Sequence, residues 1–244
     1  MFNNYTKKLN KIFMKTTIKN FLMLAIALPI AVTVTSCSKD DEDPAPVVDK
    51  SSVLVTHASP DAPGVDLLVD GAKVNTAALE FPNNTGYLSV NSGTRNIKVN
   101  VSGTSTTVIN ANLPLVKNTS YSIFAVNTVA NIEPLVIEDD LSAPASGNAH
   151  VRFIHLSPDA PAVDIAVDGG AVVFPDVTFK EYSDFTPLPA GSYDLEVRVA
   201  GTTTVALDLD PIVLQAGKIY TVFAKGLLAG TGNQALGAQI IVNK

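Results

Sequence analysis

"HASPDAPGVDLLVDG" (His57–Gly71) and "HLSPDAPAVDIAVDG" (His155–Gly169) are one stretch written twice, 98 residues apart, with 11 of 15 positions identical. Self-similarity at a fixed distance marks a repeated structural unit. In the same register Phe81 faces Phe179, Gly93 faces Gly191, Val99 faces Val197, Val101 faces Val199, and Gly103-Thr104 faces Gly201-Thr202. One inserted residue then moves the offset to 99, where Tyr121 meets Tyr220 and Phe124-Ala125 meets Phe223-Ala224. The repeating unit is therefore a domain of about 95 residues, too long for a solenoid repeat and of the size of a sandwich.

The local pattern is β throughout. Alternating or continuous apolar residues predict strands at Val53–His57, Val65–Val69, Gly86–Val90, Asn96–Val101, Thr106–Asn112, Ser120–Val126 and Ile132–Ile137, separated by turn signals such as "DG", "NSGT" and "KNTS". The second copy predicts them at His150–Leu156, Val163–Val167, Glu181–Thr186, Tyr193–Val199, Thr203–Leu209, Ile219–Lys225 and Leu236–Val242. No window after the first 37 residues carries a sustained 3.6-residue apolar period with caps. Seven short strands per unit predict an all-β chain: two tandem immunoglobulin-like, two-sheet antiparallel β-sandwich domains. They are expected at residues 51–141 and 149–244, joined by a small-residue linker at 142–148 within "LSAPASGN".

Side chains alternate along a strand, so Val53, Val55 and His57 share a face, as do Val151, Phe153 and His155. Proline three residues after each histidine forbids continued central-strand pairing, and "SPDAP" presets a turn. The chain resumes in "VDLLVDG", with Val65, Leu67 and Val69 inward and Asp66 and Asp70 outward, and closes with a hairpin "DG". Read so, the motif is a corner in which His57, Ser59, Asp61 and Asp66, and again His155, Ser157, Asp159 and Asp164, satisfy backbone groups that a turn leaves open.

Sharper readings of the same residues are weaker. A Ser-His-Asp set confined to five consecutive residues does not match a triad assembled from distant segments, and the chain has no Gly-x-Ser-x-Gly elbow. Zinc lacks its ligand spacing and calcium its Asp-x-Asp-x-Asp-Gly loop, so no metal and no cofactor is expected. The run Glu138-Asp139-Asp140 reads as solvated charge beside the linker, and "GLLAGTGNQALG" as a flexible hairpin loop. Tyr87, Tyr182 and Phe185 are the candidates for exposed aromatic platforms, against the ordinary reading of aromatics as core.

The first 37 residues stand apart. They hold five lysines, no carboxylate and the apolar run Phe21–Val34, too short to span a bilayer, which takes about 20 residues. A basic region, a short apolar region and small polar residues make a secretory signal, with Met14 opening a more usual start than Met1. It ends in "VTSC", and Cys37 is the only cysteine, so no disulfide forms within the chain. Val34-Thr35-Ser36-Cys37 resembles the lipobox of bacterial lipoproteins, which implies cleavage before Cys37 and acylation of it. Two or three acyl chains, each stabilised by about 0.8 kcal/mol per buried CH₂, make a durable anchor. Residues 38–50, "SKDDEDPAPVVDK", form an acidic, proline-bearing tether. The acidic cluster behind the cysteine resembles the surface-export signal of some Gram-negative lipoproteins, which implies an exposed, lipid-anchored position on the outer membrane. Loss of residues 1–37 takes the formal charge from −6 to −11 and argues against nucleic acid as a partner.

The motif H-x-S-P-D-A-P-x-V-D-x-x-x-D-G, matched by both copies, resembles a secreted bacterial family of domains of unknown function, number 4397, over residues 51–242. The resemblance implies no established activity. The sequence thus leads to a lipid-anchored envelope protein acting as a non-enzymatic binding, adhesion or structural module toward a glycan or protein ligand. A carbohydrate-capture module and a hydrolase using the His/Ser/Asp corner are the alternatives.

Overall fold

The computed structural model describes residues 48–244. The predicted signal peptide, Cys37 and most of the tether lie outside the described residues. In the first repeat the strands are β1 (Lys50–His57), β2 (Val65–Val69), β3 (Ala72–Lys73), β4 (Asn84–Asn91), β5 (Gly93–Val101), β6 (Thr107–Leu115), β7 (Ser120–Val126) and β8 (Glu133–Asp139). They form two four-stranded sheets in the orders β4-β1-β7-β8 and β3-β2-β5-β6. Val53, Val55, Leu67, Val99, Ile109 and Ile123 fill the space between them, as their period of two requires.

The second repeat follows with β9 (Asn148–His155), β10 (Val163–Val167), β11 (Val172–Val177), β12 (Thr186–Pro189), β13 (Gly191–Tyr193), β14 (Leu195–Val199), β15 (Val205–Asp208), β16 (Ile212–Leu214), β17 (Ile219–Lys225) and β18 (Gly237–Val242). Its sheets are β12-β9-β17-β18 and β11-β10-β14-β15, with a β13-β16 pair beside them, and Phe153 stacks on Phe174 in its core. One ladder in each repeat departs from an all-antiparallel sandwich. β1 runs parallel to β7, and β9 runs parallel to β17.

Two local differences from the sequence expectation have plain causes. Glu181–Thr186 is not a strand; the ladder with β9 starts at Thr186 and uses "TPLP", whose prolines are tolerated because β12 is a sheet edge. The inserted residue lies at Leu209–Pro211. β5 and β6 pair without a break from Gly93↔Leu115 to Val99↔Ile109, whereas the matching ladder splits into Tyr193↔Ile212 and Glu196↔Asp208, around a proline with no N–H to donate.

Strand β1 is buried on both faces from Val53 to His57. Leu54 and Ala58 turn away from the first core and meet a third cluster made with Phe124, Val126 and Ile137 and, from the other repeat, Ile154, Leu156, Phe223 and Ile241. The β1/β7 sheet and the β9/β17 sheet therefore pack back to back, and the four sheets form one stack within the single unit Pro46–Lys244. Phe124 and Phe223, which correspond in the repeat, contact each other edge to face at 6.0 Å, both at 0% exposure. Contact between equivalent residues marks an isologous, two-fold-like interface. This seam explains the unbroken burial from Val53 to Ala58 and from Phe153 to Leu156, since a strand covered on both faces has no solvent-facing side.

Candidate functional site

Both motif histidines are sealed inside the fold at 0% exposure. His57 Nε2 donates to the Pro63 carbonyl at 3.0 Å and His155 Nε2 to the Pro161 carbonyl at 3.0 Å, so each imidazole ties the end of its strand to the far side of the SPDAP turn. Burial pushes both histidines below their ordinary range, holding the rings neutral. Each neutral ring leaves Nδ1 as a buried lone pair with no partner among the described residues. Phe81 packs edge-on against His57, and Phe179 against His155.

The motif carboxylates hold backbone at two distant places. Asp61 Oδ1 accepts from Val129 N at 2.8 Å, and the Asp159 carboxylate accepts from Leu228 N at 3.0 Å, so each turn pins the segment that leaves β7 or β17. Asp66 accepts from Ser102 Oγ at 3.0 Å and Gly103 N at 3.1 Å, and Asp164 from Gly201 N at 2.9 Å and Asp176 N at 2.7 Å. Gly103 and Gly201 have φ of 72° and 71°, a conformation glycine adopts without a Cβ penalty. Asp66 is expected to point into solvent; it lies on the outer face but is covered by this hairpin and by Lys73 Nζ at 2.8 Å. The Lys73 contact, then the Gly103 N–H, hold its carboxyl below the usual range. Ser157 Oγ donates to the Gly226 carbonyl at 2.8 Å, while buried Ser59 Oγ has no partner among the described residues.

Among the described residues no hydrogen bond joins either imidazole to a motif serine or aspartate, and no three His, Cys, Asp or Glu side chains gather as metal ligands. Replacing Asp61 or Asp159 by alanine strands one loop N–H, and each change is expected to lower stability by about 1 kcal/mol. Thermal melts of the full chain read this directly. Melting temperatures equal to the parent's would show that the carboxylates do not brace the turns.

The acidic run contains what sequence reasoning missed. Asp139 is not solvated: it pairs with Arg152 Nη1 at 2.7 Å across the seam, with side-chain exposures of 0% and 2%. Arg152 Nε donates to Thr221 Oγ1 at 2.8 Å and Nη2 to Ser122 Oγ at 3.0 Å. Ser122 Oγ and Tyr87 OH donate to Asp139 Oδ2 at 2.7 and 2.6 Å. Asn243 closes the circuit, donating to Tyr87 OH at 3.1 Å and accepting from Thr221 Oγ1 at 2.7 Å. Burial, then the Asp139 charge, push the Tyr87 phenol far above its ordinary value. The sequence signal was period two: Leu135, Ile137 and Asp139 share a face, and Arg152 interrupts an apolar strand.

Of the three platform candidates, Tyr87 belongs to this circuit, and the guanidinium of Arg152 lies over the Phe185 ring at 4.5 Å. Tyr182 alone presents its ring, at 46% exposure. It stands between two open clefts. One, of about 360 Å³, is lined by Phe174, Pro175, Asp176, Lys180 and Glu181. The other, of about 180 Å³, lies at the junction of the repeats and is lined by Glu138, Asp140, Arg152, Asp184 and Phe185.

Comparison with curated proteins finds no match. Among solved structures, the TIE protein of Bacillus anthracis superposes with a TM-score of 0.24 at 12% identity, over 72% of this chain and 34% of that one. The family CBM26 module of Eubacterium rectale Amy13K, in complex with maltoheptaose, gives 0.23 at 9% identity over 78% and 96%. A candidate cell adhesion protein of Parabacteroides distasonis gives 0.23 at 10% identity over 81% and 99%. The chain spans about a third of the length of the first of these. In sequence, the profile described as "Domain of unknown function (DUF4397)" matches twice, at residues 51–166 and 158–244, and the chain belongs to that family as a tandem pair.

Proposed function

We propose that this chain is a lipid-anchored envelope protein in which two fused sandwiches serve as a rigid, non-enzymatic binding module. The observation that carries this reading is the fate of the repeated motif. Its histidines are enclosed and hydrogen-bonded to their own turns, and its aspartates hold loop backbone. A general base needs a lone pair within reach of a substrate proton, and a ring at 0% exposure offers none. What remains at the surface are clefts and loops on a stiff frame, the arrangement through which scaffolds bind ligands.

Anchoring rests on Cys37 and the basic and apolar segment before it. The test is metabolic labelling of the full-length chain with radioactive palmitate, followed by detergent phase partitioning. The parent is expected to carry label and enter the detergent phase; Cys37→Ala is expected to lose both properties. A Cys37→Ala chain that stays labelled or detergent-partitioned overturns the anchor.

A further inference from the structure

Tyr182 is held firmly. It bridges to Ile154 of β9, and the next residue is fixed twice, with Ser183 N donating to the Phe153 carbonyl at 3.0 Å and Ser183 Oγ accepting from Phe153 N at 3.0 Å. A ring presented on an anchored backbone loses little freedom when a ligand covers it. The platform has no counterpart in the first repeat, which has Asn84 where the second has Tyr182, and Gly86 where it has Asp184.

The walls of the two clefts are rich in carboxylates, with one guanidinium and one lysine among them. Glu138 and Asp184 make no side-chain hydrogen bond among the described residues, while Asp140 accepts from Ser142 N. Arg152, 2% exposed, lines the junction cleft. Its Nε donates to Thr221 and its Nη2 to Ser122, its Nη1 is ion-paired with Asp139, and no further hydrogen-bond partner of the guanidinium is found among the described residues. The one lysine beside the platform, Lys180, is already paired with Glu133 at 2.9 Å.

We infer that the groove on either side of Tyr182 is a carbohydrate-binding site for neutral glycans. This rests on the binding reading above and gives it a site and a ligand class. The exposed ring offers a flat apolar face, negative over the π-cloud, to the C–H face of a sugar. Glu138 and Asp184 accept from hydroxyls, and Arg152 donates to a hydroxyl or ring oxygen at the junction end. The surplus of carboxylates repels uronic acids, sialylated chains and nucleic acid. A protein partner fits poorly, because the aromatic is surrounded by charged residues, which protein interface cores lack.

The test is affinity electrophoresis of the full-length chain in detergent through gels containing soluble starch, xylan, galactomannan or laminarin, with polygalacturonate and a lysine oligomer as comparators. At least one neutral polysaccharide is expected to retard the parent. Tyr182→Ala is expected to raise the apparent Kd about tenfold or more, Tyr182→Phe to change it less than about twofold, and Asp184→Asn to raise it about threefold or more. Because Tyr182 is exposed, all three variants should melt with the parent. The inference is overturned if no neutral polysaccharide retards the parent, if Tyr182→Ala binds as the parent does, or if the lysine oligomer binds more tightly and salt abolishes it. Any of these with palmitate labelling at Cys37 intact removes the glycan site and leaves the anchored module standing.

Discussion

Arg152→Leu is expected to lower the stability of the folded chain by about 3–5 kcal/mol, the range for breaking a buried ion pair from one side. Leucine is the residue the first repeat has at the equivalent position, Leu54, so shape and strand propensity are not at issue. What changes is charge. Asp139 would keep the Ser122 and Tyr87 hydrogen bonds and lose the only cation found at its other oxygen among the described residues, at 0% side-chain exposure. The second repeat indicates the remedy. Asn243 stands where the first repeat has Asp139, one residue past Val242, its N–H bonded to the Ile219 carbonyl just as Asp139 pairs with Ser120. Adding Asp139→Asn to Arg152→Leu removes the stranded charge and is expected to recover most of the loss, because neutralising both partners of a buried pair is often close to neutral. Urea unfolding of the parent, the two single variants and the double variant measures the cycle. A single Arg152→Leu within 1 kcal/mol of the parent, roughly the net value of one hydrogen bond, would mean that the circuit contributes little.

Phe223→Ala is expected to cost about 3–5 kcal/mol, as for other phenylalanines removed from closed cores. The pair with Phe124 adds to the lost burial, since edge-to-face rings contribute about 0.5–1.5 kcal/mol beyond area. The location makes the result informative. Phe223 is a residue of the second repeat, yet it packs in the seam with Leu54, Phe124 and Ile137 of the first. If the seam joins the two sandwiches into one cooperative unit, amide exchange in β7 and β17 will accelerate together in the variant. Faster exchange confined to β17, with β7 unchanged, would show that the repeats unfold as separate domains despite the shared cluster.

The corners and the seam differ in how far they could be read beforehand. The His-x-Ser-Pro-Asp turn is local: His57 reaches Pro63 six residues away, so proline, hydroxyl and carboxylate positions already describe a chain reversal. The placement of Val53, Val55, Leu67 and Val99 in one core also follows from alternation. The partners of Asp61 and Asp159 do not, because Val129 and Leu228 lie 68 and 69 residues further along. For the aromatics, Tyr87 and Phe185 correspond in the repeat and both meet Arg152 or its circuit, while Tyr182, in a stretch expected as a strand that makes an isolated bridge to Ile154, is exposed.

Duplication, strand periodicity and turn chemistry are written in residues near one another, and these by themselves determined two copies of a β unit, their corners and the apolar side of each strand. Only the tertiary structure decided what covers the other side of β1 and β9. Alternation says that Leu54 and Ile154 need burial, but it does not say against what, and an apolar face is satisfied equally by another sheet, another chain or a ligand. The back-to-back packing selected one answer, and in doing so it turned Asp139 from a solvated charge into the buried partner of Arg152, because a carboxylate enclosed by that seam must find a cation or hydrogen-bond donors there.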